Sequence, residues 1–465
     1  MQLFNSLTRR QEEFTPLKPP RVGIYTCGPT VYDYIHIGNF RTYFLSDILV
    51  RTLKYLGYQP THVMNITDVG HLTSDADTGQ DKLEKGAQRE GKTAWDIAQK
   101  YEATFWQDYD KLNLILPDVS CRATDHISEQ IALVKTLEQK GFTYKISDGI
   151  YFDTSKFPDY GQLSTLDRIK PGARVETNPE KKQPQDFALW KFSPQDKKRD
   201  MEWDSPWGRG FPGWHIECSA MSMKYLGESF DIHVGGEDLK STHHPNEIAQ
   251  SEAATNKPFV KYFLHGAFLL IDGGRMGKSL GNTYTVSYLE QKGFDPLALR
   301  YLYLTGHYRD PLNFTWDSLK SAQTALNNLR QLINQWQSPQ DSPRTTLSPE
   351  KIDKADYFTA QFRTSLEDDL SLPQALATVH SAAKSNLPPQ DKRDLLFDFD
   401  EVLGLKLKAQ VPLSPPKEIA DLAQKRETLR QKDKWQEADK LRQQIAAAGW
   451  QVEDTPQGPQ LKPIS

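Results

Sequence analysis

A chain of 465 residues, 37% apolar and 25% charged, is too long for one ordinary core and too apolar for a disordered polymer, so two to four globular domains are expected. Lysine and arginine number 57 against 61 acidic residues, a net charge of −4, so overall charge does not announce a nucleic-acid partner, and any such contact must come from local patches. Three cysteines, Cys27, Cys121 and Cys218, are too few and too scattered for a disulfide framework, and no run reaches the roughly 20 apolar residues of a membrane helix.

The opening MQLFNSLTRRQEEF lacks the apolar stretch of a secretory signal, which makes a cytoplasmic location the expectation. Arg21 to Cys27 (RVGIYTC) reads as a strand, Phe40 to Leu56 as a helix with Phe44, Ile48, Leu49 and Leu53 at helical spacing, and Tyr58 to Asn65 as a second strand. Strand, loop, helix, strand is the unit from which parallel α/β sheets are wound. Leu112 to Trp207 mixes helical pattern with short β-like pieces (GIYFDTS, FALWKF) and suggests an inserted subdomain. The apolar run Tyr262 to Ile271 and a helix over Pro296 to Leu304 fit the return half of the sheet. Gln323 to Trp336 and Tyr357 to Leu403 carry helical patterns that predict a bundle. Gln337 to Pro349 and Gln410 to Pro416 concentrate Pro, Ser and Gln and read as linkers. Lys417 to Ala448 is a helix pair dense in both signs of charge, and GWQVEDTPQG after it reads as a strand and turn.

Three strings carry chemistry. His36-Ile37-Gly38-Asn39 stands at a helix entry, where free N–H groups and the positive end of the dipole favour phosphate; taken alone it also suits a simple turn and cap. Asp272 to Asn282 (DGGRMGKSLGN) is a glycine-rich basic loop that could clamp a triphosphate through Arg275 and Lys278, or could be a solvated turn; its spacing is not that of a P-loop. The third is PGWHIECSAM from Pro212, followed by HVGGEDL from His233 and HHPNEIA from His243. On a helix His243 and Glu247 share a face, while the adjacent His244 points elsewhere and complicates the choice. With Cys218 and Cys27 they offer two thiolates, an imidazole and a carboxylate, a set suited to zinc. From the residues alone a catalytic zinc, a structural zinc and no metal stay open.

Together these strings resemble the class I aminoacyl-tRNA synthetases, and within them the cysteinyl-tRNA synthetase family. The resemblance rests on Cys27-Gly28-Pro29-Thr30-Val31-Tyr32-Asp33 before His36-Ile37-Gly38-Asn39, on PGWHIECSAM, on the GG-x-D-L and His-His stretch with NEIAQ, on Arg275 to Ser279, and near the end on Ala438 to Arg442 and EDTPQG. It implies a Rossmann-like catalytic domain over residues 1–320, with a connective insertion at 111–207 and a signature loop and stem-contact region at 265–320. A helical bundle over 321–409 and a small anticodon-binding domain over 410–465 would follow. It implies one zinc held by Cys27, Cys218, His243 and Glu247, and a cysteine pocket lined by Gly28, Thr67, Trp214 and Asp238. His36, Asn39 and Lys278 would act on the transferring phosphate of ATP, carried as its Mg²⁺ complex, with Gly38, Arg275 and Ser279 as further nucleotide contacts. The expected partners are L-cysteine, ATP and tRNA(Cys), with no membrane, and the expected state is a monomer.

Departures from the family pattern are Asn39 for a second His, Arg275 for Lys, Gly277 for Ser, Val69-Gly70-His71 where relatives carry acidic residues, and Lys240-Ser241-Thr242 before the His pair. An amide at Asn39 still donates a hydrogen bond but carries no charge. Lys425, Arg426, Arg430, Lys432 and Lys434, with Trp435 and Trp450 as stacking platforms, are the candidate RNA contacts of the tail, against a charge-balanced surface as the plainer reading. Two other readings of the whole are a ligase that passes activated cysteine to a small amine, and a silent tRNA-binding paralogue.

Overall fold

The protein, seen as a computed structural model, is described over residues 1–71, 81–163, 178–194, 198–277, 280–336, 347–408, 417–455 and 458–463; Lys278 and Ser279 lie outside these residues. A five-stranded sheet runs in the spatial order Val260–Gly266, Phe230–Gly236, Arg21–Thr26, Gln59–Ile66, Val119–Arg122, and every neighbouring pair is parallel. The expected strand, helix, strand unit is there, with its helix at Ile37–Tyr55. Phe230–Gly236 and Val260–Gly266 are buried almost throughout, the continuous apolar pattern of a sheet covered on both faces. Val119–Arg122, within the stretch that reads as an insertion, is an edge strand of this sheet. Beyond it lies a separate antiparallel sheet of Thr143–Ile146, Gly149–Phe152, Phe187–Phe192 and Gly210–Pro212.

The central strand Arg21–Thr26 continues through the helix Ile37–Tyr55 to its neighbour on one side, while its neighbour on the other side, Phe230–Gly236, arrives some 200 residues later. Chain connections therefore diverge at the carboxyl end of this strand and leave a crevice there, the place where open α/β sheets bind ligands.

The chain forms two compact units, Met1–Leu326 with Thr345–Leu405, and Asn327–Arg344 with Lys406–Ser465. The bundle helices Pro349–Glu367, Leu372–Lys384 and Pro389–Leu403 belong to the first. Helix Pro296–Leu304 starts where the Asp295 side chain accepts from Leu297 N and proline takes the first helical position, whose N–H would be spare in any case. It carries Arg300, fully buried, whose guanidinium donates to Leu403 O at 2.6 Å, to Asp47 Oδ2 at 2.6 Å and to the carbonyls of Leu112 and Asn113 at 3.2 Å each. One side chain thus ties the end of a bundle helix to the helix that begins at Ile37. The turn after the bundle helix leaves Arg300 its room: Gly404 has φ +65°, and a Cβ there would stand 2.5 Å from the guanidinium.

The second unit pairs Lys417–Arg430 with Trp435–Ala447 and closes them with the hairpin Trp450–Thr455 and Gly458–Pro463 around Ile419, Ala423, Ile445, Trp450 and Val452. Trp450 is only 8% exposed and is part of this small core, so it is not a stacking platform as it stands; Trp435 is 54% exposed. Arg426 is likewise committed inward, donating to both oxygens of Asp454 at 2.7 and 3.1 Å, and Arg430 and Lys434 pair with Asp454 and Glu437. Charge balance within the unit accounts for three of the five basic residues expected as RNA contacts. Among the described residues no helix is long and apolar enough to cross a membrane.

His62 in the strand Gln59–Ile66 is buried against Thr26 Oγ1 at 2.9 Å, and burial pushes its pKa down to about 4. Above pH about 6.5 neither the folded nor the unfolded chain protonates it; as the pH falls below that value only the unfolded chain does, so stability is lost on acidification until the folded pKa is reached. Between pH 7 and 5 the cost is about 2 kcal/mol. His62→Gln is expected to flatten the acid limb of urea-unfolding stability by that amount, and an unchanged limb would refute the assignment.

Candidate active site

Three strands end in the crevice, and each delivers part of the site. Cys27 follows Arg21–Thr26, Thr67 follows Gln59–Ile66, and the turn Glu237–Lys240 with the helix His243–Thr255 follows Phe230–Gly236. The helix Trp214–Leu226 adds Trp214, Glu217 and Cys218.

The four expected metal ligands meet. One donor atom each of Cys27, Cys218, His243 and Glu247 lies within 4.8 Å of the others, and all four side chains are buried. The two sulfurs are 4.0 Å apart, close to the roughly 3.8 Å separation of two thiolates at about 2.3 Å from one tetrahedral ion. Glu247 Oε1 is 2.9 Å from His243 Nε2 and 3.7 Å from Cys27 Sγ, while its other oxygen, Oε2, is engaged at 2.9 Å by His233 Nε2. A second combination, Cys27, His233, His244 and Glu247, also falls within 4.8 Å. It shares the Cys27 and Glu247 donors and has only one sulfur. His244 Nε2 stands 3.5 Å from Cys27 Sγ, with its Nδ1 turned to His265 Nε2 at 2.9 Å and His265 Nδ1 to Ser6 Oγ at 2.8 Å. The second sulfur, at the separation that two ligands of one tetrahedral ion require, favours the first set as ligands, with His233 as the group that holds the carboxylate from behind.

Electrostatics agree with that division. Burial opposes ionisation of Cys218, yet the hydrogen bond from Cys27 and the neighbouring His243 bring it to about 7. Burial raises the Cys27 thiol, reinforced by Cys218. Burial also opposes charge on Glu247, but His233 and His243 hold it at about 2, an anion at any working pH. Burial, and then the nearby imidazoles, keep His215 and His244 well below the ordinary histidine value. His215 Nδ1 meets His243 Nδ1 at 2.9 Å, so a neutral His215 can accept the outer N–H of His243 and leave His243 Nε2 facing the other three donors.

Of the residues expected to line a cysteine pocket, Trp214 and Gly28 adjoin this cluster. The Trp214 ring lies on the His243 ring with centroids 4.2 Å apart. Gly28 donates its N–H to Asn65 Oδ1 at 2.8 Å, and a Cβ at Gly28 would fall 1.6 Å from the Asn65 carbonyl oxygen, so no other residue fits. Thr67 is buried and Asp238 is exposed on the turn after the strand.

His36 caps the helix Ile37–Tyr55: its Nδ1 accepts from Asn39 N at 3.2 Å. A backbone N–H can only donate, so the ring proton of neutral His36 is on Nε2. Asn39 is exposed and Gly38 half-buried. A Cβ at Gly38 would meet Met276 Cε at 3.3 Å, so the first motif and the basic loop touch. Arg275 is exposed, and Asn282 braces the loop by accepting from Gly277 N at 2.8 Å and donating to Arg275 O at 3.2 Å. Lys278 and Ser279, expected on ATP, lie outside the described residues.

Sequence reasoning missed the supporting groups. His215, His233 and His265 stand in or beside recognised strings, but only the fold reveals that they are buried around Glu247, Cys27 and His243. Glu217 and Asn65 were equally silent.

Residues 13–324 match the family described as the tRNA synthetases class I (C) catalytic domain. The chain is 50% identical over 466 residues to a cysteine–tRNA ligase 1 of Burkholderia lata, covering 99% of this chain and 96% of that protein. It is 42% identical to a cysteine–tRNA ligase of Treponema denticola, with 98% of each covered. Its fold is similar to that of Mycobacterium tuberculosis methionyl-tRNA synthetase, with a TM-score of 0.56 at 14% identity over 83% of this chain and 90% of that one.

Proposed function

The chain belongs to the cysteine–tRNA ligases of the class I synthetase family, and from that premise we propose that it selects its amino acid through a zinc ion held by Cys27, Cys218, His243 and Glu247. Its activity is that of a cysteine–tRNA ligase. The single observation that carries the zinc assignment is the convergence of two sulfurs, an imidazole nitrogen and a carboxylate oxygen within 4.8 Å, all buried. Zinc at this position supplies a soft Lewis acid that prefers a thiolate to a hydroxyl.

The remaining work falls to the chain and its substrates. Cysteine sits between Gly28, Thr67, Trp214 and Asp238, its carboxylate toward the helix entry. The carboxylate attacks the α-phosphorus of ATP and pyrophosphate departs, giving cysteinyl-adenylate; the terminal ribose hydroxyl of tRNA(Cys) then attacks the acyl carbon, losing its proton, and AMP leaves. Such chemistry is mostly positioning and charge stabilisation. His36, through its Nε2–H, and the Asn39 amide donate to phosphate oxygens at the positive end of the helix, and Arg275 and Lys278 with Mg²⁺ offset the charge of the leaving pyrophosphate. Residues 111–207 and 265–320 serve as connective insertion and stem-contact region, 321–409 as the bundle and 410–465 as the anticodon reader of a cytoplasmic, monomeric enzyme.

The test is cysteine-dependent exchange of pyrophosphate into ATP, with serine as competitor and tRNA or small amines as acceptors. Exchange specific for cysteine, abolished when the metal is stripped by a chelator and restored by zinc, is the expected result. Equal use of serine would overturn the zinc assignment, and transfer to amines without tRNA charging would overturn the acceptor.

A further inference from the structure

A hydrogen-bond chain runs from the loop that carries Cys27 to His71. Gly28 N donates to Asn65 Oδ1 at 2.8 Å. That bond fixes which end of the Asn65 amide is oxygen, because a backbone N–H has nothing to accept with, and so Asn65 Nδ2 must be the atom that donates to Thr67 Oγ1 at 3.0 Å. The Thr67 proton has then to be spent elsewhere, and Glu217 Oε2 stands 3.1 Å away. Glu217 is fully buried, which raises its carboxyl group well above the usual range, but its other oxygen, Oε1, is the one paired with a ring nitrogen, His71 Nε2 at 2.6 Å, so any proton the pair keeps is shared there and Oε2 is left to accept from Thr67. With one lone pair taken by Asn65 and its proton committed to Glu217, the Thr67 hydroxyl retains a single lone pair, which can only accept.

We propose that Glu217 and His71 are positioning residues that lock the Thr67 hydroxyl as a hydrogen-bond acceptor and thereby make the pocket demand an ammonium donor on the amino acid. His71 acts by clamping the Glu217 carboxyl group. Without that clamp the carboxyl turns about its last bond, the hydroxyl regains its freedom to rotate, and the acceptor is no longer presented in one direction. A site built around a fixed polar partner penalises a ligand that leaves the partner unmatched. Trp214 and Cys218 flank Glu217 on the same helix, so the same element carries a pocket wall, the clamp and a donor to the metal.

This inference rests on the reading that Thr67 lines the cysteine pocket. Two thiol probes separate the groups: cysteamine has the ammonium and no carboxylate, 3-mercaptopropionate the carboxylate and no ammonium. Each is measured as an inhibitor of cysteine-dependent pyrophosphate exchange in wild type, His71→Leu, His71→Gln and Thr67→Val, with zinc content determined for every variant. His71→Leu is expected to weaken cysteamine about tenfold and Thr67→Val about 10–100-fold, while 3-mercaptopropionate and zinc content stay as in the wild type. His71→Gln, which still donates to Glu217, is expected to recover cysteamine binding. If the two probes weaken together in His71→Leu, or if neither moves, the positioning role is overturned. A wild type without cysteine-dependent exchange would instead overturn the functional reading on which the inference stands.

Discussion

Cys218→Ser is expected to lose its zinc and its cysteine-dependent pyrophosphate exchange together, and by more than the roughly 10–100-fold that removal of an outer-shell partner costs a metal site. The reason is the donor rather than the shape. Serine fits the volume, but its hydroxyl does not ionise near neutral pH, whereas Cys218, against the resistance of burial, is brought to about 7 by Cys27 and His243. With one thiolate removed, the ion faces Cys27, whose burial and whose neighbour Glu247 still favour the neutral thiol in the absence of metal. Metal analysis by mass spectrometry and exchange kinetics are the paired measurements. Cys121→Ser is the control: Cys121 is buried 3.6 Å from the Met64 carbonyl and belongs to neither donor set, so its replacement should leave zinc content unchanged. A zinc-free Cys218→Ser enzyme with undiminished cysteine-dependent exchange would remove the metal from the account of selectivity.

Arg300→Met is expected to destabilise the first unit by about 3–5 kcal/mol, the cost of breaking a buried ion pair from one side. Methionine fills much of the space but leaves the carbonyl of Leu403 without its donor and removes one of the cations around Asp47. Asp47 retains Arg51 Nε at 2.9 Å and Ile115 N at 2.7 Å, which sets the loss below that of a wholly abandoned carboxylate. The double variant Arg300→Met, Asp47→Leu should recover part of the loss, because an apolar pair in place of a buried ion pair is often tolerated. Urea unfolding followed by tryptophan fluorescence reads the difference. A loss under about 1 kcal/mol would mean the four bonds are dispensable. Because Asp47 lies on the helix that His36 caps, a raised KM for ATP should accompany the destabilisation.

Local pattern carried most of the architecture. Continuous apolar runs and helical spacing pointed to the strand at Arg21, the helix through Phe44 and Leu53, the helix over Pro296–Leu304 and the closing helix pair, since these depend on burial of nearby residues in one element. Pairing between distant segments was beyond such reasoning. Nothing in the string VSCR indicates that Val119–Arg122 joins the main sheet beside Gln59–Ile66 rather than the antiparallel sheet that follows it. Nor did spacing distinguish Trp450, which closes a small core, from the exposed Trp435, because an aromatic after a charged helix suits either role. Of the site, the four donor residues were legible as motif members and the histidines behind them were not: His233 and His265 look like interruptions of strands until the fold surrounds them with a carboxylate, a ring and a hydroxyl.

The donors Cys27 and Glu247 are 220 positions apart, and that spacing constrains when the cluster can come into being. At about 5–20 residues per second, a growing polypeptide exposes its first thiol roughly 10–45 s before its carboxylate partner has been added. Loading of the proposed metal would therefore be an event of the second half of synthesis. Any product that terminates ahead of Glu247 emerges with a sulfur open to oxidants and no cage to shelter it.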